Sequence, residues 1–366
     1  MTVILFLHNR YRSSGGEERA VADFQWLVRE RLGEEVELLQ RDSALLGRAR
    51  ASAGMLGGGL RPDEVARAVR RTRARVVHAH NIHPAFGWRA LAAAREAGAR
   101  VVAHLHQYRL VCAVGICFTH GAECTRCHGR NTLPGVLRNC RGSAGEALVY
   151  AGALALWQRR LVGLIDAAIV PSEFAHERLL KLGAPLPAAT HVLANPVREF
   201  AERSQAASGG YALFSGRLEA EKGLAVAIEA CRIAGMALTV AGEGSQRERF
   251  AGAPGVSFAG HVSDEQLAAL RRGARLALVP SLTGETFGLA AAEAMAAGVP
   301  VAASDIGALR ELVPAQWRSP AGDAKALALS IAALREDAGA GALALARARE
   351  LLDPDRLAAT LGGIYA

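Results

Sequence analysis

Leu276-Ala-Leu-Val279-Pro-Ser-Leu-Thr-Gly-Glu285-Thr-Phe-Gly-Leu-Ala-Ala-Ala-Glu293-Ala-Met-Ala-Ala-Gly298-Val-Pro300 is the stretch on which the fold turns. Leu276–Val279 reads as a buried strand, Pro280–Thr286 as a loop, Gly288–Ala297 as an alanine-rich helix, and Pro300–Ala303 as the next strand. A strand that continues through a helix into another strand is a crossover unit, and crossovers build parallel sheets covered by helices on both faces.

The same alternation runs outward in both directions. Ahead of it lie the apolar runs Val3–Leu7, Val36–Leu39, Val76–Ala79, Val101–Leu105, Ala167–Val170, Tyr211–Phe214, Ala237–Ala241 and Val256–Phe258. Helical segments such as Arg19–Arg31 and Leu224–Ile233 separate them. A chain of 366 residues with 51% hydrophobic and 21% charged residues supplies two cores and excludes a largely disordered protein. Asn195-Pro196-Val197 and the polar stretch Glu199–Gly210 mark the boundary. The expected domains are 1–198, with a Cys-rich insertion at about 112–140, then 199–350, and a C-terminal helix, 351–366, that returns to the first domain. The fold class is α/β, two doubly wound Rossmann-like domains facing a central cleft, with ligands at the C-terminal ends of the strands.

The run Met1–Leu7 lacks the basic segment and length of a secretory signal, and Gln158, Arg159, Arg160 and Asp166 interrupt the apolar stretch Ala147–Val170. The expected location is the cytoplasm. Charge is uneven: 27 Lys and Arg stand against 16 Asp and Glu through Arg198, and 16 against 19 after it. The basic half suits an anionic acceptor or peripheral contact with an anionic membrane at its inner face, or is simply a solvated surface. The net charge of +8 and Cys124-x-x-Cys127 raise nucleic-acid binding as another class, but no recognition module is present and aromatic content is 5%, so no nucleic-acid partner is expected.

Chemistry concentrates in the second domain. Gly216-Arg217-Leu-Glu-Ala-Glu221-Lys222-Gly223 puts two cations, five residues apart, at a strand-to-helix turn. A guanidinium fork and an ammonium are the pairing a diphosphate wants. A helix starting near Phe287 points N–H groups at an anion, and Gly288 permits close approach. Glu285 before that helix and Glu293 inside it then grip the two rings of a nucleotide sugar, Glu285 the transferred sugar and Glu293 the ribose.

The spacing from Glu285 to Glu293 resembles the E-x7-E motif of family 4 of the glycosyltransferases. The resemblance extends, in the family's order, through Gly216-Arg217…Glu221-Lys222-Gly223, Val240-Ala-Gly242-Glu243-Gly244, Gly260-His261-Val262-Ser-Asp, Ala296-Ala-Gly298-Val-Pro300-Val and Gly307…Glu311-Leu312. It implies the GT-B fold and retaining transfer from a nucleotide diphosphate sugar by front-face displacement. Arg217 and Lys222 would hold the phosphates without a catalytic metal or other cofactor, backbone groups of Phe287, Gly288 and Leu289 would complete that site, and Gly242, His261 and Val262 would lie along the donor. The expected co-substrate is a UDP-sugar, then a GDP- or other nucleotide sugar. The expected acceptor is a sugar, a lipid-linked saccharide or a small molecule. Epimerase or phosphorylase-like chemistry and a catalytically silent partner subunit are the alternatives within the fold.

In the first domain Gly15-Gly16-Glu17-Glu18 resembles the glycine-rich loop under the donor pyrophosphate, and His106 resembles the family histidine near the reacting sugar, with His104 as the competing register. A double displacement would instead need a carboxylate such as Glu17 or Glu18 under the anomeric carbon. His78, His80 and His83, with His104 and His106, permit metal binding, but substrate contact is the favoured reading. Five of six cysteines fall between Cys112 and Cys140, and Cys112, Cys124, Cys127 and Cys140 are read as ligands of a structural zinc, with free thiols or a disulfide as competitors.

Overall fold

The computed structural model describes residues 3–11 and 15–366. Met1 and Thr2, the start of the first apolar run, lie outside them. The chain divides into two compact units. One comprises the residues up to His120, Cys124–Pro196 and Pro354–Ala366; the other comprises Val197–Asp353 with Gly121–Glu123.

Six parallel strands form the sheet of the first unit, in the order Glu35–Asp42, Val3–Arg10, Val76–Ala79, Arg100–His104, Ala167–Val170, Thr190–Val192. Period-two alternation splits its side chains cleanly. Leu5, Leu7, Val77, Ala79, Val101, Ala103, Ala168 and Val170 enter one apolar cluster, against residues of the helices Pro62–Thr72, Gly87–Glu96, Ala144–Val162 and Glu173–Lys181. Ile4, Phe6, Val76, Val102, Ala167 and Ile169 enter the other, covered by the helices Gly16–Glu30 and Pro354–Tyr365. Side chains buried as fully as Phe6, Phe24 and Leu361 contribute about 1.5–3 kcal/mol each. Toward the C-terminal strand ends the second face changes character: the rows that begin Phe6, Val76 and Val102 continue as His8, His78 and His80, and His104 and His106, all buried.

The sheet of the second unit is ordered Val256–Gly260, Leu238–Ala241, Tyr211–Ser215, Ala274–Val279, Val301–Ser304, Arg318–Ser319, again parallel. This is the 3-2-1-4-5-6 order of a dinucleotide-binding fold, whose order reverses between Tyr211–Ser215 and Ala274–Val279. In the first unit the corresponding point lies between Val3–Arg10 and Val76–Ala79.

Most strand bounds shift from expectation by one to three residues, and the two-residue strand Arg318–Ser319 adds an edge that no apolar run announces. The helix expected to start near Phe287 begins at Leu289. Gly288, its cap, sits at φ +99°, outside helical conformation. Among the described residues no helix is long and apolar enough to cross a membrane.

Candidate functional site

Strand order alone directs attention to the loops after Ser215 and Val279. In the first, Gly242 makes close packing possible: a Cβ there would come 1.9 Å from the carbonyl oxygen of Gly216, at φ +140°, so the turns after two adjacent strands abut. The space around Gly216 is open. Arg217 donates to Oε1 of Glu221 at 2.9 Å. Lys222 reaches across 63 positions of sequence and donates to Oε1 of Glu285 at 2.8 Å. The hydroxyl of Ser281 donates to the same oxygen. Burial on its own would raise the Glu285 carboxyl, but Lys222 first, then Ser281 and Arg217, bring it below its ordinary value. The site therefore holds an ionised carboxylate between cations.

After Gly288 the helix Leu289–Ala296 leaves its first N–H groups without intrahelical partners. Phe287 is buried beneath this turn, and Leu289 opens the helix. Glu293 is buried, and its Oε2 accepts from Arg271, itself buried. Glu293 is thus a paired interior side chain. Arg271, on the helix Asp264–Gly273, carries no motif that would single it out from Arg272 beside it. His261 is exposed and Val262 half-buried, just after the strand ending at Gly260.

The first unit carries its own cavity, at its strand-order switch. Tyr11, Glu17, His80, His104, His106 and Arg109 are among its lining residues. Gly15 caps the helix Gly16–Glu30 and its N–H donates to Oε2 of Glu18 at 2.9 Å, while the N–H of Tyr11 donates to Oε1 at 3.1 Å. Glu18 is thereby occupied as a helix cap, each of its carboxylate oxygens accepting from a backbone N–H. Glu17 is different. It accepts from the Tyr11 hydroxyl at 2.8 Å and from Nε2 of Gln107 at 3.2 Å, and burial pushes its carboxyl up despite that hydrogen bond. Arg109 lies over the Tyr11 ring, 4.8 Å from its centroid; burial opposes its charge, but Tyr11, Tyr150 and Glu17 keep it firmly protonated. Nε2 of His106 lies 2.8 Å from Nδ1 of His80, and its ring stacks on His104 at 4.0 Å. Burial lowers the His106 pKa to about 3, so it is a neutral imidazole. Tyr11, Gln107 and Arg109 are residues that sequence reading missed; the polar run after His106 is the only hint of the last two.

All six cysteines are free. Cys112, Cys124, Cys127 and Cys140 line one small cavity together with Cys117. A hydrogen bond from Cys117 holds the Cys112 thiol down at about 6. Among the described residues, the group of three or more metal-competent side chains whose ligand atoms all lie within 4.8 Å of one another is His78, His80 and His104; the cysteine sulfurs form no such group. Cys231 is buried in the helix Leu224–Ala234, where burial pushes its thiol to about 12.

Residues 209–337 match the family model described as Glycosyl transferases group 1. A phosphatidyl-myo-inositol mannosyltransferase of Mycobacterium leprae is 31% identical over 205 residues, 51% of this chain and 53% of that protein. A glycogen synthase of Mycobacterium tuberculosis is 36% identical over 169 residues, 42% of this chain and 41% of that protein. The chain spans about half the length of the curated relatives it matches. Two solved structures align along nearly all of it. HepE of Anabaena in complex with UDP and glucose has a TM-score of 0.65 at 18% identity, with 99% of each chain covered. Sucrose-phosphate synthase from Thermosynechococcus elongatus has a TM-score of 0.70 at 18% identity, covering 100% of this chain and 98% of that one. Two parallel-sheet Rossmann-like units in this arrangement of strands are the GT-B fold.

Proposed function

We propose that this protein is a retaining glycosyltransferase that moves a sugar from a nucleotide diphosphate donor to an acceptor hydroxyl. The observation that carries the proposal is the Lys222–Glu285 pair, formed by two loops at the strand-order switch of the second unit with Arg217 close enough to lower the same carboxyl. In the reaction, Arg217 and Lys222 take the charge that develops on the departing diphosphate, which is where electrostatic stabilisation does most. Lys222 turning to phosphate leaves Glu285 for the sugar hydroxyls, and Glu293, set by Arg271, for the ribose. His106, neutral and at the end of its strand, is a hydrogen-bonding group toward the sugar. The leaving diphosphate removes the acceptor proton on the front face, so no metal or other cofactor takes part in this step. A UDP-sugar is the first candidate, as in the HepE complex; mannose donors come second, from the mannosyltransferase relative. The acceptor is a sugar, lipid-linked or small-molecule hydroxyl, met in the cytoplasm or at the inner membrane face by the basic first half.

A panel of nucleotide sugars, scored by diphosphate release and by proton NMR of the glycoside formed, tests this reading. The expected product keeps the anomeric configuration of the donor. An inverted product, or no diphosphate release with any donor, overturns it. The reading also gives the segment Cys112–Cys140 a structural zinc held by Cys112, Cys124, Cys127 and Cys140, supported by their common cavity. Metal analysis is expected to find that zinc, lost in Cys124→Ser/Cys127→Ser.

A further inference from the structure

On the face covered by the helices Gly16–Glu30 and Pro354–Tyr365, His78 lies in the strand Val76–Ala79 and His80 just beyond it, and His104 ends the neighbouring strand Arg100–His104. One ring nitrogen from each of His78, His80 and His104 lies within 4.8 Å of the other two, and all three residues are at least 95% buried. His78 and His80 are each held by Nδ1: His78 lies 2.7 Å from the Tyr365 hydroxyl, and His80 lies 2.8 Å from Nε2 of His106. That leaves Nε2 of both, and both ring nitrogens of His104, buried and without a protein hydrogen-bond partner. Buried polar atoms are normally satisfied, and unpartnered nitrogens on three clustered histidines call for a partner.

We propose that His78, His80 and His104 form a three-imidazole site for a divalent transition-metal ion in the core of the first unit. A metal-ligating histidine is almost always anchored through its other ring nitrogen, which fixes tautomer and orientation. The contacts of His78 to Tyr365 and of His80 to His106 are such anchors. Neutral imidazole is the ligand form, and all three rings are buried away from solvent. Metal–nitrogen bonds of about 2.0–2.1 Å set a tetrahedral edge of roughly 3.3 Å, and the three ring nitrogens all lie within 4.8 Å of one another. Imidazole without carboxylate or thiolate favours zinc, copper, nickel or iron over magnesium or calcium. Phe6 and Phe24 wall the cluster on one side. On another, His80 and His104 reach the cavity lined by Glu17 and His106, which gives the ion a path in and leaves its fourth position for water, hydroxide or an anionic group.

The test uses chelator-stripped full-length protein titrated with zinc or cobalt(II), and reads metal binding, so it is independent of transfer activity. Nitrogen–proton correlations of the histidine rings are expected to show the signals of His78, His80 and His104 moving together over one equivalent of metal beyond any that the cysteines take up. Cobalt at this site is expected to give d–d absorption without the thiolate-to-metal charge transfer that cysteine ligands produce. His104→Phe is expected to lose at least about 100-fold in affinity for this equivalent. Tyr365→Phe keeps all three ligands and removes only an anchor, so it is expected to lose about 10-fold. Imidazole signals that do not move in the wild-type chain, charge transfer alone, or His104→Phe binding as the wild type does would each overturn the site. Should His104→Phe fail to fold, the wild-type ring spectra decide.

Discussion

Two glutamates show how burial is resolved in opposite directions. Glu285 is held ionised by Lys222, Ser281 and Arg217. On the proposed reading, Glu285→Gln is expected to lower turnover by on the order of a hundredfold, since it would remove a charged hydrogen bond to the reacting sugar where geometry matters most. Nucleotide diphosphate affinity is expected to persist, and wild-type turnover would remove Glu285 from the site. Because its folded pKa is depressed, its stabilising contribution is present above the unfolded value of about 4.5 and is lost as pH falls through the folded value; Glu285→Gln is expected to flatten that acid limb of the melting profile. Glu17 goes the other way. Its carboxyl is raised, so ionising it costs stability as pH rises through the folded value. Glu17→Gln keeps an acceptor for the Tyr11 hydroxyl and removes the charge, so at neutral pH the variant is expected to melt higher than wild type. A lower melting temperature there would mean that the carboxylate is better satisfied than its partners indicate. A stabilised variant with reduced transfer would show that the charge is retained for function.

Elements were legible where apolar periodicity is strong. The buried strand Ala167–Val170 coincides with its apolar run because a parallel strand covered on both faces reads as one unbroken apolar segment. The helix after Glu285 was legible in kind but not in start, because a glycine's φ is not written in its neighbours. Gly288 at φ +99° also leaves no room: a Cβ would meet Cδ2 of Leu309 at 2.8 Å. Gly288→Ala is accordingly expected to cost about 1–3 kcal/mol, and, by displacing the helix N-terminus, to weaken nucleotide diphosphate binding by more than tenfold in calorimetry. An unchanged dissociation constant would separate that helix end from the donor. In the candidate site, the pairing of Lys222 with Glu285 follows from strand order. Arg271, Tyr11 and Arg109 were not legible, since their partners lie on other elements and arginine is too common in this chain to signal by itself.

At the scale of the molecule, the chain crosses between its units and comes back. Pro354–Tyr365 is sequentially last but packs on the first sheet, where Leu357, Leu361, Ile364 and Tyr365 join Phe6 and Phe24 in one cluster. The first unit therefore completes its core only after the second has been made. Leu361, fully buried, tests this dependence. Leu361→Ala removes three heavy atoms from a packed interior and is expected to cost the first unit about 2–5 kcal/mol. The strands and loops that hold Arg217, Lys222 and Glu285 all belong to the second unit, and none of its residues enters this cluster. Differential scanning calorimetry of the full chain with and without UDP distinguishes the two. A ligand at about a hundredfold its dissociation constant stabilises what it binds by about 2.7 kcal/mol. The expected outcome is one transition that falls in Leu361→Ala and ignores UDP, and another that rises with UDP equally in both proteins. A single transition that falls with the substitution and rises with UDP would mean that the two cores unfold as one, and that the returning helix holds the donor unit as firmly as its own.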